Sequence, residues 1–243
     1  IHPGKKAAII EFPDVRRMLM QMKAVTEGLR ALMYTTAWYT DMAHHGPDES
    51  REKYQDLLDL HIPVCKAFGT DQGFDVARIG IQVLGGVGFT QDFPLEQNAR
   101  DQKIGSIYEG TNGIQALDLV GRKLTMHQGR LLQNLQKEIQ EFINKNKDND
   151  DLKDFMNPLE NAFQEVMAST MWLMQNGLKD PENALASASD YLNLLALTSM
   201  AYMWARMAKF SIGRNEPIHK NKIKTGRYFV EKVIPELLMY SKK

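Results

Sequence analysis

The feature that most limits what this chain can fold into is the helical spacing of its apolar residues. After Pro13 and Asp14, the residues Val15, Met18, Leu19, Met22, Val25, Leu29, Leu32 and Met33 recur in steps of three and four, the period of one face of an α-helix. Similar stripes follow along most of the chain, and the two-residue alternation of a half-buried strand persists nowhere. Helices with one apolar stripe must bury it against other helices. The fold class expected is therefore all-α: an antiparallel helical bundle extended by a second helical layer.

Punctuation divides the stripe into elements. His45-Gly46-Pro47-Asp48 ends the first helix at about His44, and Asp48 or Ser50 caps a second through Leu57, Leu58 and Leu60. Pro63 is expected to restart the helix after His61 and Ile62, because proline lacks the N–H an interior position needs. A third helix carries Val64, Phe68, Val76, Ile79 and Val83 up to a cluster of glycines. A short helix spans Leu95 to Ile104, a fifth runs from Asn112 to about Thr125, and another from Gln128 to Ile143. The charged run from Asn144 to Asp151 reads as a solvated connection. Three further helices follow, about Leu152 to Asn176, Pro181 to Ser211 and Lys222 to Tyr240. The chain accordingly reads as residues 1–124 and an additional helical extension, 125–243.

Composition narrows the function classes. Lys plus Arg and Asp plus Glu are equal at 30 each, so no charge excess points to nucleic acid or to an anionic membrane. A single cysteine, Cys65, allows no internal disulfide, which fits a reducing compartment and a cytoplasmic placement. No apolar run approaches the roughly 20 residues of a membrane span, and no signal-peptide pattern opens the chain. It begins Ile1-His2-Pro3-Gly4 rather than with methionine, and reads as a piece of a longer protein or a processed product. His44 and His45 are adjacent, without the spacing that puts two ligands on one helix face, so no metal site is expected. The methionines at 167, 171, 174, 200, 203 and 207 read as bundle core, and the lysines at 220, 222, 224, 242 and 243 as a solvated end.

The chemistry-bearing stretch lies between Gln82 and Gln115. Gly85, Gly86 and Gly88 follow Gln82 and remove side chains where a backbone must bend or approach a flat ligand. Glu109 stands between Tyr108 and Gly110, beside Thr111 and Asn112, both good helix N-caps. A carboxylate on a loop, at the mouth of a helix and next to an aromatic ring, has the make-up of a general base.

The segments 82–89, 98–101 and 107–115, with the Gln82-to-Glu109 spacing, resemble the C-terminal signature of the acyl-CoA dehydrogenases. The match is close over 80–124 and looser over 13–79. Beyond about 125, the chain resembles the extra C-terminal helices of a bacterial subset with longer chains. The resemblance implies that Glu109 removes the α-proton of an acyl-CoA thioester while a β-hydride passes to FAD. It further implies that the Glu109 N–H binds the thioester carbonyl, with Tyr108 and Gly110 on the substrate side. Gln82, Gly85 and Gly86 would meet the adenosine part of a flavin held mainly by a neighbouring subunit, and Thr111 the flavin of its own. The family often has glutamine two residues after that threonine; here the position is Gly113, with Asn112 as the candidate replacement. Implied partners are acyl-CoA, an electron-transfer flavoprotein and a second copy, in a homodimer or homotetramer. Two other readings stay open: an acyl-CoA oxidase of the same superfamily, and a helical oligomerisation or binding module whose site is vestigial. Implied also is that the fragment alone is inactive.

Overall fold

The computed structural model describes residues 7–177 and 179–241. Among them there are helices and turns and no strand. The long elements are α1 (Pro13–His45), α2 (Asp48–Leu84), α5 (Arg130–Asn146), α6 (Lys153–Gly177) and α7 (Pro181–Ser211). Shorter helices are α3 (Leu95–Gly105), α4 (Asn112–Asp118), α8 (Pro217–Tyr228) and α9 (Leu237–Ser241). Helix starts follow local chemistry. Pro13, Pro181 and Pro217 sit in the first turns of α1, α7 and α8, where a missing N–H costs nothing. The Asp180 carboxylate caps α7 by accepting from the Glu182 N–H.

Three expectations are corrected. Pro63 does not restart a helix: α2 runs unbroken through it for 37 residues. Interior proline costs roughly 3 kcal/mol, but Leu57, Leu58, Leu60, Val64, Ala67 and Phe68 are buried on both sides of it, and burying these residues in one continuous helix outweighs that cost. The segment 144–151 is not wholly a solvated connection. Helix α5 extends to Asn146, whose buried side chain donates to the Phe142 carbonyl, and Leu152 closes the turn with no exposure. The lysine end is only partly solvated: half-buried Lys222 pairs with Glu27 of α1 at 2.6 Å. Lys242 and Lys243 lie outside the described residues.

Helix α7 organises the interior. Every residue from Leu194 to Ala205 is buried, most of them apolar, so this stretch faces the core on all sides. It packs against α1, α2 and α4 as well as α6, α8 and α9, so one core runs through both parts of the chain. Met200 and Met203 join that core as the methionine pattern suggests, whereas Met171 is 64% exposed on α6. The passage from one part to the other is a turn of π-helix over Leu119–Lys123, followed by three left-handed residues, His127, Gln128 and Gly129.

Polar groups also bind the parts together. Asp56 of α2, 2% exposed, accepts from Arg130 Nε at 2.5 Å and from Asn134 Nδ2 at 2.8 Å. Within the first part, buried Lys123 of the π-helical turn pairs with Asp59 at 2.5 Å. Buried His61 lies 2.7 Å from the Leu57 carbonyl through Nδ1 and 3.4 Å from the Ser199 hydroxyl through Nε2; burial lowers its pKa, against the pull of the Leu57 hydrogen bond.

Candidate active site

Helix α3 ends at Gly105, and the chain then turns on itself. The Ile107 and Tyr108 N–H groups both donate to the Ile104 carbonyl, at 2.9 and 3.1 Å. Glu109 (φ 55°) and Gly110 (φ 80°) are both left-handed, which reverses the chain. The Asn112 N–H then closes the loop onto the Ser106 carbonyl at 3.1 Å. Thr111 caps α4, its hydroxyl accepting from the Ile114 N–H at 3.3 Å. For a glutamate, the left-handed conformation costs about 1–2 kcal/mol, so neighbouring groups must hold it.

They come from α2 and α4. Lys66 Nζ donates to the Gly110 carbonyl at 2.6 Å and to Asn112 Oδ1 at 3.0 Å. The Asn112 amide nitrogen donates to the Ala67 carbonyl at 3.1 Å and shares the Thr70 hydroxyl. Gln115 Nε2 reaches the Glu109 carbonyl at 3.4 Å. With its side chain committed in this way, Asn112 does not stand ready to replace the glutamine absent at Gly113; it roots the loop. Lys66, Thr70 and Gln115 were not found from sequence. The only signal for Lys66 was a single charge inside the uncharged run from Ile62 to Thr70.

The working end of the loop is open. The Glu109 carboxylate is exposed and makes neither ion pair nor hydrogen bond with the described residues, and its own N–H donates to none of them. Tyr108 is 54% exposed, and Ile107 and Ile114 are exposed with it.

The glycine turn is built differently. Helix α2 ends at Leu84, and Gly85 adopts φ 64°, ψ −143°, close to a region reached essentially by glycine alone. A side chain on Gly85 or Gly86 would meet nothing within 4 Å of this chain. On Gly88 it would meet the Ile81 carbonyl oxygen at 2.6 Å, so that glycine is explained by packing. Gln82 is exposed in the last turn of α2, without a side-chain hydrogen bond to the described residues. Val87, Phe93 and Phe89, the last 80% exposed, surround the turn in sequence.

The two sets of candidates are not brought together. Lys66, which clamps the Glu109 loop, and Gln82 are sixteen residues apart on one helix, roughly 24 Å at 1.5 Å per residue. No group of three His, Cys, Asp or Glu able to hold a metal occurs among the described residues. No described helix is long and apolar enough to cross a membrane.

Comparison with known proteins accounts for both parts of the chain. Residues 2–124 match the family model described as acyl-CoA dehydrogenase, C-terminal domain, and residues 135–242 that described as acetyl-CoA dehydrogenase C-terminal like. The chain is 34% identical over 236 residues to 3-methylmercaptopropionyl-CoA dehydrogenase of Ruegeria pomeroyi, covering 94% of this chain and 40% of that protein. It is 33% identical over 245 residues to a butyryl-CoA dehydrogenase of Syntrophomonas wolfei, covering 96% and 40%. The chain thus spans about 40% of the length of these curated relatives. Among solved structures, an acyl-CoA dehydrogenase complexed with FAD from Bacillus anthracis superposes with a TM-score of 0.77 at 20% identity, covering 99% of this chain and 43% of that one. The chain belongs to the acyl-CoA dehydrogenase family, of which it carries the C-terminal helical region.

Proposed function

We propose that the whole protein is a cytoplasmic FAD-dependent acyl-CoA dehydrogenase that introduces an α,β double bond into an acyl-CoA thioester, with Glu109 as the base. The observation that carries this reading is the Glu109 loop. One residue presents a free carboxylate and a free N–H in a left-handed turn that neighbouring helices hold in place. Strained backbone that its surroundings enforce is a mark of functional sites.

In the reaction the Glu109 carboxylate takes the proton from the α carbon. The Glu109 N–H donates to the thioester carbonyl and stabilises its enolate-like charge. FAD, when bound, supplies the acceptor for the hydride that leaves the β carbon. Tyr108 and Gly110 flank the substrate. The residues present fit such a cofactor. Gly85 and Gly86 leave open space for a flat ligand to approach, and Gln82 has an uncommitted amide. The Thr111 hydroxyl, an acceptor for the Ile114 N–H, keeps its own proton to donate to a flavin oxygen. A carboxylate base works in a dry site, and this chain alone leaves Glu109 in water. Atoms from outside these 243 residues must cover it. The isolated chain is therefore inactive and retains no flavin, and yellow colour surviving desalting of residues 1–243 would contradict this.

The reading further assigns an electron-transfer flavoprotein as acceptor, a homodimer or homotetramer as the assembly, and a division into 1–124 and 125–243. Replacing Glu109 by Gln in the whole protein keeps size and hydrogen bonding but removes the base. Turnover falls by about 10²–10⁴ while flavin content is unchanged; near wild-type turnover would overturn the assignment. Rapid aerobic turnover with no added acceptor would move the reading to an oxidase.

A further inference from the structure

We infer that Lys66 is the positioning residue for Glu109, acting through the backbone of the loop rather than on the substrate. This rests on the reading of Glu109 as the base. Lys66 is half-buried on α2, and its ammonium group donates to oxygens on the far side of Glu109, the Gly110 carbonyl and Asn112 Oδ1, at 2.6 and 3.0 Å. No carboxylate pairs with it among the described residues. Its charge is spent on two neutral acceptors of one loop, and charge-assisted hydrogen bonds are the stronger kind.

The remaining ties to the loop are neutral. Asn112 is held by the Ala67 carbonyl and the Thr70 hydroxyl, and the Glu109 carbonyl accepts from Gln115 only at 3.4 Å. Without Lys66, nothing charged opposes relaxation of Glu109 and Gly110 out of their left-handed conformation. The carboxylate and the N–H of Glu109 would then lose their fixed relation to each other. Helix α2 is also held, nearer its start, by the Asp56–Arg130 and Asp59–Lys123 pairs, so Lys66 ties the loop to a helix that is fixed elsewhere by its own ion pairs.

The test uses the whole flavin-loaded protein and four variants: Lys66→Met, Lys66→Arg, Glu109→Gln, and Lys66→Met with Glu109→Gln. Lys66→Met is expected to lower kcat by about 10- to 100-fold, the order that misplacement by an ångström costs, with KM little changed and flavin retained. The amides of residues 107–111 should exchange hydrogen faster, and Lys66→Arg should recover most of the lost rate. In the Glu109→Gln background the Met substitution should cost nothing more, since a positioning residue has no effect once its target is gone. Unchanged amide exchange would overturn the clamp itself. Faster exchange with unchanged kcat, or a full additional loss in the double variant, would overturn its role in catalysis. If Glu109→Gln alone kept wild-type turnover, the base assignment would fail and the positioning role with it, while the exchange data would still report separately on the clamp.

Discussion

The two ends of α2 do opposite things with polar groups. Near its start, Asp56, Asp59 and His61 are each met by a partner from the later helices or the turn before them: Arg130 and Asn134, Lys123, and Ser199. Buried charges persist in that way, paired and hydrogen-bonded. Past Pro63, Lys66 spends its charge on a loop that carries a free carboxylate, the Gln82 side chain has no hydrogen bond among the described residues, and the space over Gly85 and Gly86 is open. One helix thus joins a closed, self-sufficient half to an open half that presents Tyr108, Phe89 and Ile107 to solvent. Closed polar groups serve the fold; the open ones await other atoms.

The largest effect that separates the two ends is expected at Arg130. Arg130→Met leaves buried Asp56 with Asn134 as its remaining donor and should clearly lower the denaturant midpoint of the 1–243 chain, because a buried carboxylate that loses its cation is costly. If stability holds, the closed end is not what anchors α2. Next comes Gly88→Ala, where the new Cβ lies 2.6 Å from the Ile81 carbonyl oxygen; overpacking of this kind costs about 1–3 kcal/mol.

A smaller effect is expected with pH. Burial raises the Asp59 pKa, but hydrogen bonds from Lys123 and Gln55 and the Lys123 charge outweigh it, so the folded value lies below the usual one. A depressed folded pKa stabilises above the unfolded value, about 3.9, and the benefit disappears as pH falls through the folded value. Replacing the pair by Asp59→Asn with Lys123→Met should therefore flatten the loss of stability on acidification below about pH 4; an unchanged slope would show that the pair carries none of it. The smallest effect on stability is expected at Gly86. The Cβ of Gly86→Leu meets nothing within 4 Å, so unfolding of the isolated chain should stay within about 0.5 kcal/mol of wild type, although the assembled protein should lose flavin. A clear destabilisation would mean that the turn is structural after all.

Much of this was legible in the sequence, for reasons that differ by region. Apolar spacing locates α1, α6 and α7, because a helix that buries a stripe or its whole surface must write that in its residues. Pro63 misled because local propensity yields to tertiary packing on both sides of it. The segment 144–151 misled because one buried asparagine and one leucine suffice to fold a polar run inward. At the site, the resemblance singled out Glu109, Thr111 and the glycines, and backbone geometry then distinguished Gly86, whose Cβ would meet nothing within 4 Å, from Gly88, enclosed by its own helix end. The ties from Lys66 and Thr70 depend on which helix lies beneath the loop, and that of Gln115 on the backbone reversal at Glu109. No local pattern encodes that.

On the proposed reading, a neighbouring chain completes the open end of α2, the glycine turn of one copy serving the Glu109 site of another. A mixed assembly tests it most directly. Whole protein carrying Glu109→Gln is unfolded and refolded together with an equal amount carrying Gly86→Leu, each being inactive alone. If the turn acts across the interface, each hybrid dimer holds one site with both parts intact. Statistical pairing into symmetric dimers then restores about a quarter of wild-type turnover. If the turn serves only its own chain, no hybrid contains a complete site, and turnover stays at the level of the inactive parents.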